Sequence, residues 1–195
     1  NCATMSPDRM EMELFGTESV GEGGEPRLVG TFEQAHGGTL LLDEVADMPL
    51  ETQGKVVRVL QAQTFQRRGG TSKISADVRV VATSNRNLDE EMAAGNFSQD
   101  LFYRLGVVPI SVPSLAQRRE DIPSLARQFM ITSADRAGLP PRELGKDAIA
   151  ALQSHGWPGN VRQLRNVIDW IVIMAPGGAS DVITADLLPP DFQAA

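Results

Sequence analysis

The sequence lacks any run of 18 apolar residues, so no membrane-spanning helix is expected. No signal-peptide pattern opens it. It holds a single cysteine, Cys2, which excludes an internal disulfide and points to a reducing compartment, the cytoplasm. Cys2, His36 and His155 are not spaced as metal ligands are. Positive charge is in deficit, with 18 Lys and Arg against 25 Asp and Glu and a formal net charge of −7. That balance argues against this stretch being a nucleic-acid-binding face, because phosphate backbones demand a basic surface. No arrangement suggests a serine or cysteine nucleophile. The pattern G-x-x-x-x-G-K-[ST] occurs nowhere, so the usual phosphate cradle is missing from this stretch.

What is present is ordinary globular material: 195 residues, 42% hydrophobic and 22% charged. A chain of this size buries about 70% of its unfolded surface, enough for one good core and a second, smaller one. It opens at Asn1 without an initiator methionine and is expected to be part of a longer protein.

Residues 17–30, TESVGEGGEPRLVG, combine four glycines with Glu18, Glu22 and Glu25. They do not form a phosphate cradle, since they carry no lysine and their glutamates would repel phosphate. Before them, Ser6, Pro7 and Gly16 mark the start and stop of a helix. After them, the apolar run at 39–43 predicts a buried parallel strand and 47–63 a helix capped by Asp47. Residues 76–85 predict a second central strand, 88–95 and 98–106 two short helices ending at Gly95 and Gly106, and 107–113 a third strand closed by Pro113. Strands alternating with helices predict a parallel α/β sheet. From about residue 115 the pattern turns helical throughout, over 120–138, 145–156 and 159–174. The expected division is an α/β part, 1–114, and a small all-helical part, 115–195.

Four motifs carry candidate chemistry. GGTLLLDEV places Asp43 and Glu44 at the carboxyl end of a strand, where open α/β sheets bind ligands. An aspartate there can hold Mg²⁺ through water, and the next glutamate can polarise an attacking water. A plain surface acid pair reads equally well. ATSNRN brings Ser84 and Asn85 to the end of the neighbouring strand, where they can sense a γ-phosphate or simply form a turn. In WPGNVRQLRN, Asn160 can cap a helix whose first turn carries Arg162, either a phosphate ligand or a solvated arginine. In FSQDLFYRL, Arg104 either reaches a neighbouring subunit's nucleotide or pairs with Asp100.

The order of these motifs is more specific than any one of them. ELFG, GTFEQAHGGTLLLDEV, VRVVATSNRNL, DLFYRL, SLAQRREDI and WPGNVRQLRN together resemble the central domain of bacterial sigma-54-dependent transcription activators, which are AAA+ ATPases. The resemblance runs over nearly the whole chain and is nearest to NtrX-type response regulators of two-component systems. It implies a truncated AAA+ parallel-sheet subdomain followed by a helical lid. It implies ATP and Mg²⁺ as cofactors, Asp43 and Glu44 as the Walker B pair, and Asp43 as the residue holding Mg²⁺ via water. Ser84 and Asn85 would lie at sensor I, Arg162 would be the sensor II arginine, and Arg104 would act in trans across a ring interface. It further implies hexamers or heptamers that remodel the sigma-54 RNA polymerase closed complex. The longer protein would carry a receiver domain facing a sensor kinase and a helix-turn-helix domain for DNA.

The sequence departs from the family pattern in three places. The first strand, the P-loop and its helix would lie upstream of Asn1, so this stretch alone is expected to be inactive. A second trans-acting arginine of the family aligns with Ser98, and such an arginine can be worth roughly 10³–10⁵ in rate. The GAFTGA tip that contacts sigma-54 is replaced within residues 17–30, which argues against that contact. The alternative is a non-catalytic oligomerisation or regulatory module of a DNA-binding transcription factor.

Overall fold

The computed structural model describes residues 1–18, 27–175, 177–178 and 180–192, and these fall into two compact units, Asn1–Ile110 and Ser111–Ala195. The centre of the glycine-rich stretch, residues 19–26, lies outside the described residues.

In the first unit the apolar run becomes strand β1 (Thr39–Leu42), which pairs in parallel with β4 (Arg79–Ala82) so that Leu42 stands opposite Ala82. Parallel neighbours need a long crossover. Here it carries helix α3 (Leu50–Ala62) and a small antiparallel hairpin, β2 (Thr64–Phe65) with β3 (Ile74–Ser75). Helices α1 (Pro7–Phe15) and α2 (Thr31–Gln34) precede the sheet, and α4 (Leu88–Ala93) and α5 (Gln99–Leu105) follow it. The core forms where Phe15, Phe32 and Phe65 meet, with ring centroids 5.7–6.3 Å apart, beside the fully buried Val56 and Leu101.

The parallel sheet and both predicted inner strands are present, although the second strand is shorter than residues 76–85. The predicted helix at 47–63 starts later, at Leu50, with Pro49 rather than Asp47 in the capping position. Asp47 instead closes a 3₁₀ turn, Val45–Asp47. The predicted third strand at 107–113 does not form, and this is a correction. Among the described residues no segment pairs with it, and Val107 and Ile110 are 77% and 83% exposed. A strand exists only by pairing with a neighbour, so apolar alternation there is not sufficient.

A buried glutamine organises the far side of the sheet. Gln53 of α3 donates to the Met48 and Asn96 carbonyls (2.7 and 3.1 Å) and accepts from the Ser98 N–H (2.7 Å). Ser98 in turn caps α5, its hydroxyl accepting from the Leu101 N–H at 3.4 Å. Serine at 98 therefore has a structural role.

The second unit is helical, as predicted, with α6 (Ile122–Ala137), α7 (Lys146–Ser154) and α8 (Asn160–Met174). Gly138, at φ 67°, ends α6 in the left-handed conformation that glycine adopts without strain. Ala126, Leu152, Leu164 and Ile168 are completely buried between the helices. Trp157, buried at the turn between α7 and α8, donates its indole N–H to the Leu152 carbonyl at 2.7 Å. Among the described residues no helix is long and apolar enough to cross a membrane.

Candidate functional site

Two strand ends build the site. β1 stops at Leu42 and β4 at Ala82, so the parallel register sets Asp43 beside Thr83. The Thr83 hydroxyl donates to Asp43 Oδ1 (2.7 Å) and accepts from the Glu44 N–H (3.0 Å). On the other side the Asn1 amide donates to Asp43 Oδ2 at 2.5 Å. The Thr83 hydrogen bond, reinforced by Asn1, holds the Asp43 carboxyl below the usual carboxylate range. Asp43 therefore stays ionised at neutral pH while both its oxygens are fixed in direction.

Glu44 sits in the left-handed region, φ 56° and ψ 54°. For a residue with a side chain this costs roughly 1–3 kcal/mol and persists only where surrounding contacts enforce it. Those contacts are visible: the Glu44 N–H is held by Thr83, and the following Val45 N–H donates to the Thr83 carbonyl (2.8 Å). The sharp turn lets the Glu44 carboxylate accept from the Asn85 N–H at 3.1 Å. Asp43, Glu44 and Asn85 are thus brought together at the carboxyl edge of the sheet.

Ser84 is placed beside them, but its hydroxyl serves its own turn. It donates to the Arg86 carbonyl (2.9 Å) and accepts from the Arg86 N–H (3.1 Å). The Asn85 side chain is exposed and makes no hydrogen bond among the described residues. Arg86 secures the turn from outside, bonding to Asp47 and lying 3.6 Å from Glu91.

The two arginines stand apart from this cluster. Arg104 lies exposed in the last turn of α5 and forms no ion pair with Asp100 or with any other described residue. Arg162 belongs to the second unit, exposed in the first turn of α8, also without an ion pair among the described residues. Asn160 does not cap that helix. Its backbone is left-handed (φ 49°) and its side-chain oxygen accepts from the Leu115 N–H at 2.8 Å, while Gln163 takes the Gly159 N–H at 3.0 Å.

Sequence reasoning missed Thr83 and Asn1. Thr83 was open to inference, because a parallel partner for the strand ending in Asp43 must place one residue of ATSN directly beside that aspartate. Asn1 gave no signal.

Among the described residues no three His, Cys, Asp or Glu side chains cluster to hold a metal. An all-protein cage is therefore not available, but Mg²⁺ does not require one. It keeps most of its waters and takes one or two carboxylates. An ionised, oriented Asp43 fits that need.

Comparison with known proteins places this geometry. The family model described as the sigma-54 interaction domain matches residues 1–111, and the AAA+ ATPase lid domain matches residues 116–195. The nitrogen assimilation regulatory protein NtrX of Azorhizobium caulinodans is 54% identical over 194 residues, covering 100% of this chain and 42% of that protein. The DNA-binding transcriptional regulator NtrC of Klebsiella pneumoniae is 43% identical over 196 residues, covering 100% of this chain and 41% of its own length. The crystal structure of NtrX from Brucella abortus in complex with ATP superposes with a TM-score of 0.88 at 52% identity, over 98% of this chain and 44% of that one. The complex with ADP gives 0.88 at 53% identity, over 98% and 43%. The chain thus spans about two fifths of the length of the relatives it matches. With an acid pair at the end of a parallel sheet, a helical unit after it and both family models matched in order, the chain belongs to the sigma-54 interaction domain family, as an AAA+ domain with its lid of the NtrC and NtrX kind.

Proposed function

We propose that this chain is the central ATPase domain of a longer two-component response regulator, in which ATP binding and hydrolysis are coupled to ring assembly and transcription control. The observation that carries the reading is the Asp43–Thr83–Glu44–Asn85 arrangement. A surface acid pair without a task requires neither a depressed aspartate nor a strained glutamate. Bound ATP would supply the phosphoryl group, and Mg²⁺ would neutralise its charge. Asp43, oriented by Thr83, would hold the metal through water. Glu44 orients and polarises the attacking water, and the Asn85 N–H positions its carboxylate. The free Asn85 side chain senses the terminal phosphate. Arg162 reaches the nucleotide from the lid, and Arg104 acts on the nucleotide of an adjacent subunit in a hexameric or heptameric ring. Ser84, bonded within the turn through Arg86, lies with Asn85 at sensor I beside the nucleotide. Residues 1–114 act as the α/β part and 115–195 as the lid of a cytoplasmic protein whose DNA-binding and receiver domains lie outside this chain.

The phosphate cradle is proposed to lie upstream, with a helix that covers the open face of the β1–β4 sheet. Leu41 and Val81 are 56% and 46% exposed, an unusual position for apolar residues on a parallel sheet, whose faces are normally covered. The 195-residue chain is therefore expected to bind ATP poorly by itself. Nucleotide titration of this chain against the longer protein tests this, and micromolar binding by the short chain would overturn it. Glu44→Gln in the longer protein should reduce ATP turnover roughly 10²–10⁴-fold while leaving ATP affinity intact. Unchanged turnover would remove Glu44 from the chemistry.

A second reading, a regulatory module that does not engage sigma-54, is favoured by one observation, the absence of GAFTGA from residues 17–30. Transcriptional output of Glu44→Gln separates the two readings. Output that falls with turnover supports the motor, and unchanged output supports the module.

A further inference from the structure

We infer that the first unit carries a second binding site, a basic groove for an acidic peptide segment with an apolar anchor, between α1, α3 and the β2–β3 hairpin. The groove has a volume of about 470 Å³. Its floor is apolar, made by Phe15, Val59 and Phe65, which belong to the core. Its rim is basic. Lys55 is held in place by Glu11 (2.7 Å) and Glu51 (3.1 Å). Arg58, Arg68 and Lys73 are exposed and make no ion pair among the described residues.

Charge makes this groove exceptional. The chain carries seven more acids than bases, yet four cationic side chains and one carboxylate, Glu11, line this space. Side chains of like sign gathered around a concave surface focus a positive potential into it. The groove shares no residue with the Asp43 site, and the nucleotide chemistry proposed above makes no use of it.

The lining also selects the class of ligand. A nucleic-acid strand would need a longer basic track to follow its phosphates than this groove supplies. An acidic peptide places carboxylates against Arg58, Arg68 and Lys73 and one apolar side chain over the Phe15–Phe65 floor. Arginine suits the carboxylates through its planar set of donors. The volume accommodates a few side chains, in the range of ordinary ligand sites.

The test uses the longer protein and a fluorescein-labelled dodecapeptide alternating Asp and Leu, read by fluorescence anisotropy. Two controls are a twelve-residue polyglutamate and a twelve-nucleotide single strand. Saturable binding of the Asp-Leu peptide is expected, at least tenfold tighter than either control. Charge reversal at Arg58, Arg68 and Lys73 together should weaken it at least tenfold, with ATP binding unchanged. The milder pair Arg58→Gln and Lys73→Gln should weaken it about threefold, which keeps the test valid if the triple variant folds poorly. No binding, equal binding of polyglutamate, tighter binding of the single strand, or indifference to both sets of substitutions would overturn the proposal. Failure of the ATPase reading would leave the peptide result unaffected.

Discussion

The two units solve the burial problem differently. In the helical unit, α6, α7 and α8 close a core among themselves, and Ile122, Leu164 and Ile168 are wholly covered. In the α/β unit the core is good on one side only. Phe32, Val56 and Leu101 are sealed, whereas Leu41 and Val81 of the sheet and the run from Val107 onwards lie open. Among the described residues the helical unit also leaves Ile173 and Met174 open, 73% and 58% exposed, but on the outside of a helix, whereas the α/β unit leaves apolar residues open on a face of its sheet. The acid pair sits in the α/β unit, at the ends of the two paired strands.

Substitutions can break or sharpen this contrast. The largest effect is expected in the closed unit: Trp157→Ala should cost it about 3–5 kcal/mol, since the indole fills the α7–α8 turn and its N–H is bonded. Chemical denaturation followed with hydrogen exchange should show the loss in residues 111–192 and not in the sheet. Next, Gln53→Leu should destabilise the α/β unit by about 2–4 kcal/mol, because the Met48 and Asn96 carbonyls and the Ser98 N–H all lose their partner. A loss below about 1 kcal/mol in urea unfolding would show that water replaces the side chain. The sharpest probe of the open face is Val81→Thr. In the 195-residue chain it should stay within about 0.5 kcal/mol of the parent, as an exposed position does. In the longer protein, where we propose the face is covered, it should cost about 1–3 kcal/mol. Equal effects in both would mean that nothing covers Val81.

The smallest effect concerns pH. Thr83 lowers the folded-state carboxyl of Asp43 below its unfolded value. Such a group adds stability that is fully present above the unfolded value near pH 4 and is lost as pH falls through the folded value. Thr83→Val should therefore lower the melting temperature most at neutral pH, and the gap to the parent should shrink as pH drops below about 4. A gap that is constant from pH 7 to pH 3 would assign the role of Thr83 to packing alone.

Much of this was legible in the residues. The apolar run before Asp43 announced a parallel strand and one forms, but only Leu42 of it is buried, so the expected full burial is not met among the described residues. The glycines at 95, 106 and 138 marked helix ends correctly. The lid was readable because helical periodicity is carried within one segment. What escaped depended on partners. The hairpin strands at 64–65 and 74–75 are two residues long and have no period to detect. The segment after Val107 reads as a strand but lacks a neighbour. The contact between Thr83 and Asp43 follows from register, which belongs to two strands at once. The left-handed backbone of Glu44 has no sequence mark at all, since glutamate has no preference for it.

The glycine-rich stretch leaves and rejoins the unit at one point. Thr17 and Leu28 exchange both backbone hydrogen bonds at 3.0 Å, and Gly16 and Gly30 approach so closely that a methyl group on Gly30 would lie 2.5 Å from the Gly16 nitrogen. Arg67, buried, clamps the same neck by bonding Glu18 (2.6 Å) and both oxygens of Glu33. Among the described residues, the two ends of the stretch are thus fixed against each other and against Arg67. The groups that pin this neck are distinct from Asp43, Glu44 and Thr83, so the neck and the acid pair can be altered separately.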